Sequence, residues 1–296
     1  MDYNLNFLNF SLISSLIYFF IFCLGLIVGS FLNSVIYRLS LPNFSWKKII
    51  GPKERSYCPH CKHVLSWRDL IPILSFLDLK GKCRYCKKNI SWQYPLVELA
   101  TAILFILTIQ KIAEDIPPEF SGGMSSGGLF SGGFLNLCYL LIVACFLIVI
   151  FVYDLKHYII PDEIVFPAIG IAFLYNIFYS YFILHASYFI LNTLYSALGA
   201  SAFFFAIFLI SKGKWLGFGD VKLAFFMGLF LGFPNIIVAL FLSYLIGAII
   251  GLGLILAKKK GLKSEVPFGP FLVTGTFSAF FWGEKIISWY LHSFLL

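Results

Sequence analysis

The stretch FLNLCYLLIVACFLIVIFVYDLKHYIIPDEIVFPAIGIAFLYNIFYSYFIL, residues 134–184, decides the fold. Residues 134–153 carry no charge, and as a helix rising 1.5 Å per residue they reach about 30 Å, the thickness of a bilayer's hydrocarbon core. A charged turn follows, and a second apolar run over 161–182 leads back. Outward from this hairpin, further runs of spanning length occupy about 12–36, 95–112, 188–211, 215–233, 235–257 and 267–291. In the fourth of these, the apolar part from Leu223 to Phe233 is too short alone. It spans only if Trp215 to Lys222 enter the membrane with it. The last carries Glu284 and Lys285 near its far end, so its final turns can lie at the interface. The expected fold is an all-α polytopic membrane protein with about eight transmembrane helices. Composition agrees: of 296 residues 60% are hydrophobic and 12% charged, with mean hydropathy +0.89. A soluble domain has roughly 25% charged residues, so soluble, disordered and disulfide-stapled secreted classes are excluded. Thirty-five Phe and sixteen Tyr suit lipid-facing surfaces and interfacial belts.

The net charge of +8 is a topology signal. Segment 38–93 holds 12 Lys and Arg, and the turns at 154–160, 212–222 and 258–263 hold eight more. These are alternate connections, and they carry 20 of the 22 basic residues; Lys111 and Lys285 are the other two. The positive-inside rule makes the four basic connections cytoplasmic and both termini outward. Asp2 is the only charge before the first run and no cleavage site follows, so that helix is expected to be retained. Residues 114–133 are acidic and then Gly/Ser-rich, and read as a flexible outward linker.

Four of the seven cysteines, Cys58, Cys61, Cys83 and Cys86, form two C-x2-C knuckles, CPHC and CRYC, separated by 21 residues. Two knuckles converging on one ion complete a tetrahedral all-sulfur zinc site. The expected cytoplasmic side keeps thiols reduced, which favours metal over disulfides. A closed site of this kind is structural and folds a small zinc-binding cytoplasmic domain between helices 1 and 2. Cys23, Cys138 and Cys145 lie singly in apolar helices and read as small core residues.

From residue 134 onward acids are few. Asp154 ends the third span, and Asp162 and Glu163 follow Pro161. Asp220 lies in WLGFGDVKL, about five residues into the sixth span. An ionisable residue at membrane depth is costly and marks function. Asp154 and Asp220 are expected near the same face. If their helices touch, they can share a proton, one acting as general base on water and the other as general acid on a carbonyl. Gly217 and Gly219 let another backbone approach beside Asp220. Blander readings stand beside this: Asp220 as a helix N-cap, Asp154 as an interfacial partner of Lys156, and Asp162 as an acid favoured by the helix dipole. A proton-coupled transporter with a zinc-stabilised cytoplasmic domain would use similar acids, but no inverted repeat is visible and the acids cluster at one edge. A non-enzymatic zinc-bearing membrane regulator is a third class.

Taken together, the chain resembles the prepilin peptidase family, the bacterial type IV prepilin-like leader peptidase/N-methyltransferases, GxGD-type intramembrane aspartic proteases. The resemblance is carried in order by GSFLNSVIYRL (Gly29 to Leu39), RSYCPHC, Ile71–Pro72, GKCRYC, YPLVE (Tyr94 to Glu98), DLKHYIIPD, GFGD and PFGPF (Pro267 to Phe271). It implies a catalytic pair at Asp154 and Asp220, with Gly217, Gly219 and Asp162 supporting, and metal ligands at the four cysteines. It implies cleavage of the basic leader of type IV prepilins or type II secretion pseudopilins, then methylation of the new N-terminal amine from S-adenosylmethionine. Gly81, Arg38 and Glu98 match family positions, although no nucleotide-binding glycine loop occurs in 38–95. Their plainer readings are a turn glycine, a positive-inside anchor and a helix N-terminal acid. Pro267 to Pro270 either hold substrate backbone beside the pair or simply break the chain at a helix entrance. The implied domains are a first helix over 1–37, a cytoplasmic four-cysteine zinc and methyltransferase domain over 38–94, a second helix and outward loop over 95–133, and an intramembrane aspartic peptidase domain over 134–296. The implied location is the bacterial inner membrane. The implied partners are prepilin substrates, the pilus or secretion assembly machinery and the lipid bilayer, with no nucleic acid.

Overall fold

In hydrocarbon every backbone N–H and C=O must find a partner within the chain, so apolar runs of spanning length fold as helices. The computed structural model describes residues 2–42, 55–115, 133–185, 187–257 and 266–294. Its long helices are α1 (Asp2–Leu39), α3 (Gln93–Asp115), α4 (Phe134–His157), α5 (Asp162–Phe178), α6 (Ser187–Ser211), α7 (Phe218–Leu231), α8 (Asn235–Leu256) and α9 (Gly269–Phe294), with a short α2 (Leu74–Asp78). A π-helical turn, Tyr179–Leu184, extends α5. Among the described residues there is no strand, only two isolated β-bridges.

Among the described residues six segments are long and apolar enough to cross a membrane: Ser15–Leu39, Gln93–Glu114, Phe134–His157, Asp162–Ile183, Ser187–Ser211 and Asn235–Leu256. The two remaining expected spans are the pair singled out from the sequence. α7 is 14 residues long and reaches only about 21 Å. α9 has the length, 26 residues, but includes Glu284 and Lys285. The linker at 114–133 falls almost wholly outside the described residues, as do Lys47, Lys48, Lys53, Lys258 to Lys260 and Lys263.

The chain divides into two units, Met1–Cys145 and Phe146–Leu296. In the first, α1 lies against α3 with almost no space between backbones. A Cβ on Gly25 would sit 2.5 Å from the Ala102 Cα, and one on Gly29 2.7 Å from the Glu98 Cα. Glycines four apart thus let these helices touch along their main chains. The Asn33 side-chain amide adds a hydrogen bond to the Tyr94 carbonyl, 3.1 Å.

In the second unit α7 is the central helix. Leu223, Ala224, Phe226 and Met227 are fully buried, and Gly228 is set directly against the backbone at Ala197 of α6. The Asn176 side-chain amide of α5 donates to the Leu229 carbonyl of α7, 2.8 Å. On the other side Gly275 of α9 meets Ala239 and Ser243 of α8. These close contacts hold the far end of α7 against α5 and α6 and the first turns of α9 against α8.

Candidate active site and metal centre

Asp154 occupies the last turn of α4 and is 4% exposed. The turn that follows carries Tyr158 at φ +59° and buries Ile160 and Pro161 before α5 begins. Asp220 is the third residue of α7 and is 8% exposed. Each carboxylate accepts one backbone hydrogen bond through Oδ2. The Gly269 N–H, at the start of α9, donates to Asp154 at 3.0 Å. The Gly217 N–H donates to Asp220 at 3.1 Å. No described residue bonds the other oxygen of either group. The N-cap of α7 is Gly217 and not Asp220; Asp220 is the third residue inside the helix, and its carboxylate accepts from the N-cap amide as the acid of a capping box does.

The glycines explain how these segments meet. A Cβ on Gly219 would lie 3.0 Å from the Ile160 Cβ, so the close approach that Gly219 permits is that of the chain's own Asp154 turn. Gly217 is looser, since a Cβ there would meet the Asp220 Oδ2 at an ordinary 3.5 Å. Gly269 is the tightest: a Cβ would come within 2.5 Å of the Asp154 Oδ2. The result is that the two carboxylates lie within electrostatic reach of one another. Beside them is a set of rings. Phe268 stands 5.2 Å from Tyr244 and 6.2 Å from Phe204, and the Tyr244 phenol feels the Asp220 charge.

Asp162 does not share the burial of Asp154 and Asp220. Its carboxylate is 53% exposed and forms an ion pair with Lys222 at 2.5 Å. The Lys222 ammonium lies 5.1 Å from the ring centres of both Phe166 and Phe218. This pair ties the first turn of α5 to α7 two residues past Asp220.

Sequence reasoning overlooked two of these partners. Gly269 was visible inside PFGPF, but nothing local says that its amide faces an aspartate 115 residues away. Lys222 was counted as a topology charge, and its pairing with Asp162 across 60 residues leaves no mark in the sequence.

In the first unit the two cysteine knuckles are built alike. The Cys58 N–H donates to the His63 carbonyl at 3.0 Å and the Cys83 N–H to the Lys88 carbonyl at 2.8 Å. Each knuckle then turns through a lysine of positive φ, Lys62 at +56° and Lys87 at +59°. The sulfurs of Cys58, Cys61, Cys83 and Cys86 all lie within 4.8 Å of one another, with Cys58 and Cys86 3.9 Å apart. A tetrahedral ion with Zn–S bonds of about 2.3 Å requires sulfurs about 3.8 Å apart, so the quartet fits zinc. Burial raises the Cys58 thiol, but the amides of Cys61 and His60 and the thiols of Cys61 and Cys83 outweigh it and bring it down to about 7. The Lys88 amide favours the Cys86 thiolate, yet desolvation and the three other thiols push it up to about 11. A divalent cation, when bound there, would allow all four to ionise together.

Asp69 braces the second knuckle. It accepts from the Arg84 guanidinium at 2.8 Å and from the Ser66 hydroxyl and amide at 2.8 and 3.1 Å. Burial raises its carboxyl, but Arg84 and the two Ser66 bonds outweigh burial and hold it below the usual carboxylate range.

The three methyltransferase candidates have visible structural roles or places. Gly81 has φ +68°, and its would-be Cβ faces the Phe76 ring at 3.1 Å, so it is a turn glycine entering the second knuckle. Glu98 is buried one full turn inside α3. Its carboxylate accepts from the Ile73 N–H at 2.8 Å, where Ile73 has φ +58°. It is thus a brace for the loop rather than a helix N-terminal acid. Arg38 lies in the last turn of α1.

Comparison with known proteins meets this geometry from outside. The family model "Bacterial Peptidase A24 N-terminal domain" matches residues 23–112, and the model "Type IV leader peptidase family" matches residues 141–252. The chain is similar to a prepilin leader peptidase/N-methyltransferase of Aeromonas hydrophila, 31% identical over 93% of this chain and 94% of the relative. It is 33% identical to one of Bacillus subtilis over 92% and 96%, and 30% identical to one of Pseudomonas aeruginosa over 92% and 93%. No solved structure matches the chain. With both family models matched in order and relatives aligned along nearly their whole length, the chain belongs to the type IV leader peptidase family, a family of peptidase enzymes.

Proposed function

We propose that the protein removes the basic leader from type IV prepilins or type II secretion pseudopilins at the cytoplasmic face of the inner membrane. Asp154 and Asp220 act as a proton-sharing pair, and the new N-terminal amine is then methylated. The observation that carries this reading is the meeting of the two aspartate segments, brought about by Gly219 against Ile160 and leaving one unbonded oxygen on each buried carboxylate. One aspartate takes a proton from water as its oxygen attacks the scissile carbonyl carbon. The other gives its proton to the carbonyl oxygen. When the tetrahedral species collapses, the C–N bond breaks and a proton passes to the leaving amine.

The charge pattern supports the location. The basic connections that argue for the cytoplasmic side include Lys156 beside Asp154 and Lys222 beside Asp220, so the pair lies near the face that retains a basic leader. In this reading α7 and α9 join the six long apolar helices as spans, eight in all, with both termini outward. The domain limits follow the same division: first helix 1–37, zinc and methyltransferase domain 38–94, second helix and loop 95–133, peptidase domain 134–296. Zinc held by Cys58, Cys61, Cys83 and Cys86 organises the 38–94 domain. S-adenosylmethionine, when bound, supplies the methyl group, and Gly81, Arg38 and Glu98 are the positions proposed to shape its surroundings. The relatives' names, which pair leader peptidase with N-methyltransferase, support both activities.

The test is the mass of the product. Purified protein in detergent, given a prepilin and S-adenosylmethionine, is expected to release the leader and add one methyl group. Without the methyl donor it is expected to release the leader alone. Prepilin left intact under both conditions overturns the reading.

A further inference from the structure

The second unit has a groove of about 520 Å³ between α6 and the start of α8 that the reactions above do not use. Tyr188, Asn192 and Ser196 lie along its α6 side, and Phe233 and Ile237 along the other. On α6 it runs from Tyr188 to Phe203, fifteen helical steps and thus about 22 Å. That is most of the hydrocarbon thickness. Its walls open outward: Tyr188, Phe203, Phe233 and Ile237 are all exposed. There is open space at Gly199, where an added Cβ would meet nothing within 4 Å. Two polar side chains along it are already satisfied: Asn192 exchanges hydrogen bonds with the Phe233 backbone at 3.0 and 3.1 Å, and the Ser196 hydroxyl donates to the Asn192 carbonyl at 2.7 Å. The groove therefore offers shape and apolar contact, the terms on which helices associate in a membrane.

One end of the groove is linked to Asp154 through a short chain of contacts. Phe203 is 6.5 Å from Tyr244, which lies one turn beyond the lining residue Leu240 on α8. Tyr244 is 5.2 Å from Phe268, and the next residue, Gly269, donates to Asp154. From this continuity we propose that the groove between α6 and α8 seats the apolar helix of the prepilin substrate, holding it across the membrane so that its cytoplasmic end meets Asp154 and Asp220. The proposal rests on the prepilin-cleavage reading. An apolar helix cut at its cytoplasmic end must run from that pair toward the opposite face. This groove has the matching origin, length and polarity. A lipid chain has no need of the connection to the pair.

Two experiments test it. Gly199→Leu adds bulk to the groove from a position where a Cβ meets no neighbour, and folding is expected to be normal by thermal melting. For a full-length prepilin, KM is expected to rise at least tenfold with kcat within threefold of wild type. Second, a photocrosslinking residue at Ile237 in an Asp220→Asn background is expected to capture the apolar helix of prepilin. Wild-type KM in Gly199→Leu overturns the proposal, and so do crosslinks to lipid alone or to a second copy of this chain. Failure of the underlying reading is separately visible. If Asp220→Asn itself still cleaves prepilin, the catalytic assignment falls whatever the groove does.

Discussion

Gly269→Ala is the most informative single change, because its effect can be worked from the geometry. The added Cβ would lie 2.5 Å from the Asp154 Oδ2, 3.0 Å from its Cγ and 3.3 Å from its Cβ. Ordinary contact between such atoms is about 3.5 Å, so the carboxylate must retreat by about 1 Å. The amide bond, now 3.0 Å, is then stretched beyond hydrogen-bond range. A displacement of that size at a reacting group costs about 100-fold in rate. Loss of a hydrogen bond to a charged group costs about 1.5–3 kcal/mol, or roughly 10- to 150-fold, and the two routes agree. Alanine is the better helix former by about 1 kcal/mol, so α9 itself should not loosen. The assay is the initial rate of leader removal in detergent, with thermal melting alongside and Gly170→Ala as control, since nothing lies within 4 Å of that position. An expected loss of about 100-fold in Gly269→Ala contrasts with no change in Gly170→Ala. Cleavage by Gly269→Ala within twofold of wild type would refute the argument that this amide and this close approach position Asp154.

Asp162→Asn breaks only a half-exposed ion pair, worth about 0–1 kcal/mol, so cleavage should fall by less than tenfold. A loss as deep as that of the buried aspartates would move Asp162 into the reacting pair. Elemental analysis should find one zinc per chain, lost in Cys58→Ser together with the fold of the 55–90 loop as read by proteolysis. Intact disulfides between these cysteines and no zinc would contradict the quartet. Because Asp69 is held below its ordinary range when folded, its contribution to loop stability is complete above about pH 4 and is lost as pH falls through the folded value. Asp69→Asn should flatten that acid limb of the loop's melting profile, and an unchanged limb would assign it to another group.

The long helices were legible because membrane burial makes apolarity and length nearly sufficient, and Ser187–Ser211 falls within a residue of the run read from the sequence. The cysteine quartet was legible because its chemistry is local: each knuckle is a closed turn of a few residues. α7 and α9 were harder for a physical reason. α7 begins at the candidate site, where Gly217, Gly219, Asp220 and Lys222 interrupt the apolar pattern, and α9 carries Glu284 and Lys285 toward its far end. The partners of the site were not legible at all. Gly269 to Asp154, Lys222 to Asp162 and Glu98 to Ile73 are tertiary contacts, and each looks in sequence like an ordinary glycine, surface lysine or helix acid.

The central claim is that Asp154 and Asp220 together cut the substrate, while the rest of the chain keeps its own chemistry. Asp154→Asn and Asp220→Asn, prepared separately, should each lose at least a thousandfold in prepilin cleavage while still methylating a substrate whose leader was already removed. Cleavage by either variant at the wild-type rate would contradict the claim.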